Sequence, residues 1–212
     1  MDRREEIIDA AVQLFHKQGY ANTSMQDIAD AVGLLKGSLY YHIASKEELL
    51  FEIHERFMNV LMQKGQARED VANLTEHQRL AGLVKDLIEL VRDYRSYVVV
   101  FFRERHAMTR PRWDAIHEKR EAYELFVRRI IQQGQQDGTF RGDLDEKIVT
   151  FGLFGICNWT YMWYDPSGAL GTEQIAQIFT SLLLDGLTPR PEPDFTLSGS
   201  HAGARYSATP QD

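Results

Sequence analysis

The chain has 212 residues, 43% of them hydrophobic, with a net charge of −7 and a single cysteine. That is enough to bury a proper core, and a lone Cys157 excludes an intrachain disulfide framework and suits a reducing cytoplasm. The charged start, Met1-Asp2-Arg3-Arg4-Glu5-Glu6, does not read as an export signal, and the longest weakly charged run, Ile148 to Tyr164, falls short of the roughly 20 residues a membrane helix needs.

Helical periodicity runs almost from end to end. Ile7, Ile8, Ala11, Leu14 and Phe15 form the stripe of a first helix, which Gly19 ends. Ser24 and Asp27 form a capping box for a second helix with Met25, Ile28, Ala29 and Val32 apolar, closed by Gly33. A short third helix covers Lys36 to His42. Ser45-Lys46-Glu47-Glu48 reads as a second capping box, opening a fourth helix with Leu49, Leu50, Ile53, Phe57 and Leu61 on its buried side.

Further along, Leu80 to Val91 marks a fifth helix and Tyr97 to Arg105 a shorter one. Pro111 breaks the chain, and Trp113 to Ile131 then lines a long helix that ends at Gly134 or in the Asp137-Gly138 turn. Asp145 to Tyr164 is apolar enough to expect burial on nearly all sides. Thr172 is the expected cap of a last helix whose inward set is Ile175, Ile178, Phe179, Leu182, Leu183 and Leu187. From Pro189 onward, prolines, serines and glycines cannot bury enough surface to offset ordering, so 189–212 is expected to be a flexible tail. The expected fold is all-α with about nine helices.

Short helices joined by a tight glycine turn form a helix-turn-helix pattern. In that pattern the second helix meets phosphate with its N-terminus and the third lies in the major groove. The third helix offers Lys36, Gly37, Ser38, Tyr40, Tyr41 and His42 outward, with Leu39 turned in and one of the two tyrosines free to pack on the first helix. Net charge argues against nucleic acid at first, since residues 1–50 hold five Lys/Arg against eight Asp/Glu. Yet Ala31 to Lys46 contains no carboxylate while Lys36, His42 and Lys46 are present, and only the surface facing phosphate has to be positive.

Gly19-Tyr20-Ala21-Asn22-Thr23-Ser24-Met25-Gln26-Asp27-Ile28-Ala29, Val32-Gly33, Lys36-Gly37-Ser38-Leu39-Tyr40-Tyr41-His42 and Ser45-Lys46-Glu47-Glu48-Leu49 together resemble the DNA-binding domain of the TetR family. Two positions depart from it: Leu35 stands where a capping serine or threonine is usual, and Ile43 replaces a common phenylalanine. The resemblance implies phosphate contacts from Thr23 or Ser24, Tyr41, His42 and Lys46, and groove contacts from Lys36, Gly37, Ser38 and Tyr40. It also implies a homodimer on an inverted-repeat double-stranded DNA operator, and repression relieved by a small hydrophobic effector. No cofactor, metal or membrane is implied. The layout places DNA binding in 1–50 and ligand binding with dimerisation in 51–188, with the seam inside the fourth helix.

In that layout the middle helices form a ligand chamber, and the last two make an apolar seam that typically buries over about 2,000 Å². Gly152 and Gly155 would let helices approach closely. The expected chamber set is Phe101, Phe102, Arg105, Trp113, Phe126, Phe154, Asn158, Trp159 and Met162. Asn158 stands out, because an amide in an apolar helix needs a partner. Arg103, Arg105, Arg110 and Arg112 form a basic stretch beside the aromatics, which would suit an acyl-coenzyme A thioester or, equally, surface pairing with Glu118 and Glu121. The run from Trp159 to Gly168 resembles that of branches regulating fatty-acid or steroid catabolism. The fourth helix is the only continuous element expected to join DNA end to chamber.

Two other classes fit the sequence less well. An enzyme with a di-iron site needs Glu-x-x-His pairs, and no histidine has a glutamate three residues before it. Cys157 has no basic neighbour to activate it, and no phosphate-binding glycine loop is present. A helical protein-binding adaptor would not need the carboxylate-free window.

Overall fold

The computed structural model describes residues 2–189; the expected tail lies almost wholly outside them. Nine α-helices and one 3-10 turn, Arg105–Ala107, make up the secondary structure of the described residues. They are α1 (Arg3–Gln18), α2 (Met25–Ala31), α3 (Lys36–His42), α4 (Lys46–Glu69), α5 (Glu76–Asp93), α6 (Arg95–Arg103), α7 (Arg110–Gln136), α8 (Glu146–Trp163) and α9 (Thr172–Leu187).

The helix ends follow side-chain chemistry. Ser24 Oγ accepts from the Asp27 amide at 3.1 Å while the Asp27 carboxylate accepts from the Ser24 amide at 2.7 Å, a reciprocal box that satisfies two free donors of α2. Ser45 caps α4 in the same way, but Glu48 reaches the Ala44 amide instead and so ties down the residue before the cap. Pro111 is tolerated inside the first turn of α7, where its missing N–H costs nothing. Thr172 is not the cap of α9. Gly171 holds that position, and the Thr172 hydroxyl is buried as the acceptor of Arg92.

Two apolar cores divide the molecule. One gathers Ile7, Ile8, Phe15, Ile28, Leu39, Leu49 and Ile53 from α1–α4, with Val100 of α6 added. The other starts at Phe57 on the same α4 and collects α5, α7, α8 and α9 around it. At about 1.5–3 kcal/mol for each large side chain buried, each core supports its own unit. The change from one core to the other falls between Ile53 and Phe57, within a single unbroken helix.

α4 is not the sole link between the ends. α6 packs directly against α1, and polar contacts reinforce it: Tyr97 donates to Asp9 at 2.9 Å, Ser96 to Gln13 at 3.0 Å, and the Tyr20 amide to Glu104 at 3.2 Å. Glu47 accepts from the Thr109 amide at 2.6 Å and pairs with Arg112.

Candidate DNA interface and ligand chamber

α3 presents Lys36, Gly37, Ser38, Tyr40 and Tyr41 to solvent, with Leu39 fully buried beneath them. The helical period explains the split: one residue per turn anchors α3 and the rest face outward. Tyr41 is 88% exposed and Tyr40 45% exposed, so neither ring is buried against α1. His42 is half-buried with its ring edge-on to Tyr41. A Cβ on Gly37 would meet nothing within 4 Å, so no packing demand explains a glycine in this helix.

Arginine 4 fixes the pose of α3. Its guanidinium donates to the His42 carbonyl at the end of α3 and pairs with Glu48 at 2.7 Å and with Glu52, both on α4. α1, α3 and α4 are thereby joined through one fork, whose planar geometry suits several acceptors at once. The proximity of these carboxylates raises the Arg4 pKa above its usual value.

Two residues expected to meet phosphate are engaged internally. The Thr23 side chain is buried, its hydroxyl donating to Gly19 O at 2.9 Å and accepting from Gln18 at 3.2 Å. Lys46 donates to the carbonyls of Tyr20 and Thr23 at 2.9 and 2.8 Å. Ser24 stays exposed at the start of α2. Leu35 precedes α3 without any side-chain cap, and Ile43 is fully buried in the core.

A cavity of about 420 Å³ lies among α4, α6, α7 and α8. Phe57, Met58 and Leu61 of α4 form one wall, facing Phe101, Phe102, Phe154 and Trp113. Six of the expected residues meet here: Phe101, Phe102, Arg105, Trp113, Phe154 and Asn158. Asn158 is half-buried and makes no hydrogen bond among the described residues. A larger cleft of about 760 Å³ between α1, α4 and the α5–α6 junction is open and lined largely by charged and polar residues, including Glu5, Asp9, Arg56 and Arg92.

Three expected residues do not line this chamber. Phe126 packs against Tyr123 and Gly65 on another face of α7. Trp159, 59% exposed, and Met162 project from the outer face of α8 with Ile148, Gly152, Gly155 and Ile156. The period of α8 decides this: Phe151, Phe154 and Asn158 turn toward the chamber and Leu153 and Cys157 into the core, leaving the remaining third outside. Ile178 and Leu182 of α9 are likewise exposed, contrary to the inward set expected. In one protomer α8 is therefore buried on one side only.

Within the basic stretch Arg105 lines the chamber, and neither Arg105 nor Arg112 pairs with Glu118 or Glu121. Arg112 joins Glu47, Glu121 faces His117 at 3.5 Å, and Arg105 donates to His106. Arg120, absent from the expected set, enters the chamber, its guanidinium 5.7 Å from the ring centres of both Phe101 and Trp113. Burial lowers its pKa first, and nearby Arg105 lowers it further. A sequence signal existed: Trp113, Ile116, Arg120, Tyr123 and Val127 share the inward stripe of α7.

Among the described residues no helix is long and apolar enough to cross a membrane. The family profile described as bacterial regulatory proteins, tetR family, matches residues 7–53, and that described as tetracyclin repressor-like, C-terminal domain, matches residues 73–187. The chain is 31% identical over 190 residues to the HTH-type transcriptional repressor KstR2 of Mycobacterium tuberculosis H37Rv, covering 88% of this chain and 93% of that one. It is 34% identical over 188 residues to KstR2 of Rhodococcus jostii RHA1, covering 87% and 91%. The solved ketosteroid transcriptional regulator KstR2 of M. tuberculosis superposes with a TM-score of 0.82 at 30% identity, covering 89% of this chain and 96% of that one. AibR, solved in complex with isovaleryl coenzyme A and operator DNA, superposes with a TM-score of 0.80 at 31% identity, covering 86% and 98%. With its helix-turn-helix and its separate helical core, the chain belongs to the TetR family and is a homodimeric, DNA-binding transcriptional repressor.

Proposed function

We propose that this repressor is released from an inverted-repeat operator by an acyl-coenzyme A thioester whose acyl end enters the chamber among α4, α6, α7 and α8. One observation carries the reading: Phe57, Met58 and Leu61 belong both to the chamber wall and to the helix that begins directly after the helix-turn-helix. AibR, similar over most of the chain, was solved with isovaleryl coenzyme A and operator DNA, which supports the ligand class. On this reading Lys36, Gly37, Ser38 and Tyr40 meet base edges, and Ser24, Tyr41 and His42 meet phosphate. Residues 1–50 form the DNA-binding part and 51–188 the ligand and dimer part. The protein works in the cytoplasm and catalyses no reaction.

The mechanism is mechanical. Two recognition helices must sit about 34 Å apart, or a whole number of turns, to enter successive major grooves. A ligand against the far half of α4 displaces that spacing, and Phe101 transmits the same push through its tilted ring contacts with Phe57 at 4.7 Å and His54 at 5.1 Å. Coupling requires tighter binding to the DNA-incompetent state and is reciprocal. The test is operator anisotropy titrated with acyl-coenzyme A thioesters of increasing chain length. The effective one should lower operator affinity, and operator should lower its affinity by the same factor. If none of the series changes operator affinity, the ligand assignment fails while the repressor stands.

A further inference from the structure

Arg120 is an arginine without a partner in an apolar place. Among the described residues it makes no hydrogen bond and no ion pair; its contacts are the faces of Phe101 and Trp113. Glu124, one turn along α7, acts on it electrostatically but stands outside ion-pair distance, and Arg105 repels it. A guanidinium cannot shed its proton to escape burial. Ring faces offer a desolvated cation part of what water would, but no acceptors for its five N–H donors. Burying a charge without an ion-pair partner is costly, and although Glu121 and Glu124 also line the chamber, neither lies within ion-pair distance of Arg120 and Glu121 faces His117.

We propose that Arg120 is the specificity-determining residue of the chamber, taking an anionic oxygen head, carboxylate or phosphate, carried on an apolar ligand body. Phe57, Met58, Leu61 and Phe154 hold the apolar body, and the Phe101 and Trp113 rings flank the guanidinium, whose fork suits a two-oxygen anion. Arg105, also at the chamber, adds a second positive charge on the same side. Since the Phe101 ring also packs against His54 and Phe57 of α4, neutralising Arg120 acts on the helix that carries the DNA-binding end. The inference rests on the chamber being the effector site, and it adds a charge requirement to it.

The experiment compares wild type, R120L and R120K by calorimetric binding of isovaleryl, octanoyl and dodecanoyl chains, each as free acid, methyl ester and coenzyme A thioester. Wild type should prefer an anionic form over the neutral ester of the same chain by about tenfold or more. R120L should lose that preference while keeping the ester's affinity, and R120K should retain part of it. Preference for the free acid names a carboxylate as the group; preference for the thioester alone names a coenzyme phosphate. R120L should also melt at or above the wild-type temperature, because it removes a partly buried charge that has no ion-pair partner. Equal preference in wild type and R120L, no binding across the panel, or a marked fall in R120L melting temperature overturns the proposal. Arg120-dependent binding that leaves operator affinity unchanged supports it and overturns the release reading instead.

Discussion

The Lys46 ammonium lies 4.3 Å from the centre of the Tyr20 ring and donates to the Tyr20 carbonyl, so the first residue of α4 holds the loop that precedes α2. With a further bond to Thr23 O, two of its three donors are occupied within the protein. Lys46→Ala should therefore cost about 1–2 kcal/mol of stability, read as a lower melting temperature. Operator binding should weaken with its salt dependence unchanged. A salt slope that flattens by about one phosphate would instead identify Lys46 as a direct phosphate contact.

Lys36 and Gly37 give the contrasting case. Lys36→Ala should leave the melting temperature alone, reduce operator affinity and alter base preference. Gly37→Ala should raise stability by up to about 1 kcal/mol, since the helix gains an alanine and the new methyl meets nothing. Operator affinity should nonetheless fall, because the methyl occupies the space through which α3 approaches the bases. Unchanged affinity on a permuted operator set would remove Gly37 from the interface.

Stability should depend on pH through His54. Burial pushes its pKa from 6.5 to about 4, while the hydrogen bond to Leu50 O opposes the shift. Unfolded His54 takes up a proton below about 6.5 and the folded form does not. Its contribution is therefore complete above that pH and lost as pH falls toward 4, by roughly 3 kcal/mol in all. Burial also lowers the pKa of His16, adding to the slope with the same sign. Denaturant melts at pH 7 and 5 should show His54→Leu losing less stability on acidification than wild type; parallel losses would refute the assignment.

The outer face of α8 and the α4–α7 contact hold two kinds of glycine. A Cβ at Gly155 meets nothing within 4 Å in the protomer, whereas one at Gly65 would sit 3.0 Å from the Phe126 ring. Gly155→Leu should keep helicity and raise the dimer dissociation constant in sedimentation. Gly65→Leu should lower the melting temperature by crowding the α4–α7 contact. A Gly155→Leu dimer as tight as wild type would place the seam elsewhere on α8.

Ligand binding should be visible through Trp113 and not through Trp159, because Trp113 lines the chamber and Trp159 faces outward. Trp113→Phe should abolish the fluorescence change on addition of an acyl thioester, and Trp159→Phe should retain it. Asn158→Leu should blunt ligand-induced operator release while the ligand-free protein binds operator normally. The opposite tryptophan pattern would move the ligand to the α8–α9 face.

Much of this protein is determined locally. The helix boundaries follow from Ser24, Ser45, Pro111 and the Asp137-Gly138 turn, each of which acts on backbone within a few residues of itself. The outward face of α3 follows from period alone, with Leu39 as the one inward anchor. What α8 does could not be read that way. An apolar helix shows the same residues whether a face meets its own core, a cavity or a second subunit, so Trp159, Phe154 and Cys157 look alike until neighbours are placed. Charged residues show the reverse: in sequence Lys46 reads as a phosphate contact and Arg120 is absent from the expected chamber set, and only tertiary packing turned one onto the Tyr20 and Thr23 carbonyls and the other into a chamber between two rings. A side chain's period is set by its own helix. Its partner is set by whichever segment folds against it, here 26 residues away for Lys46 and Tyr20.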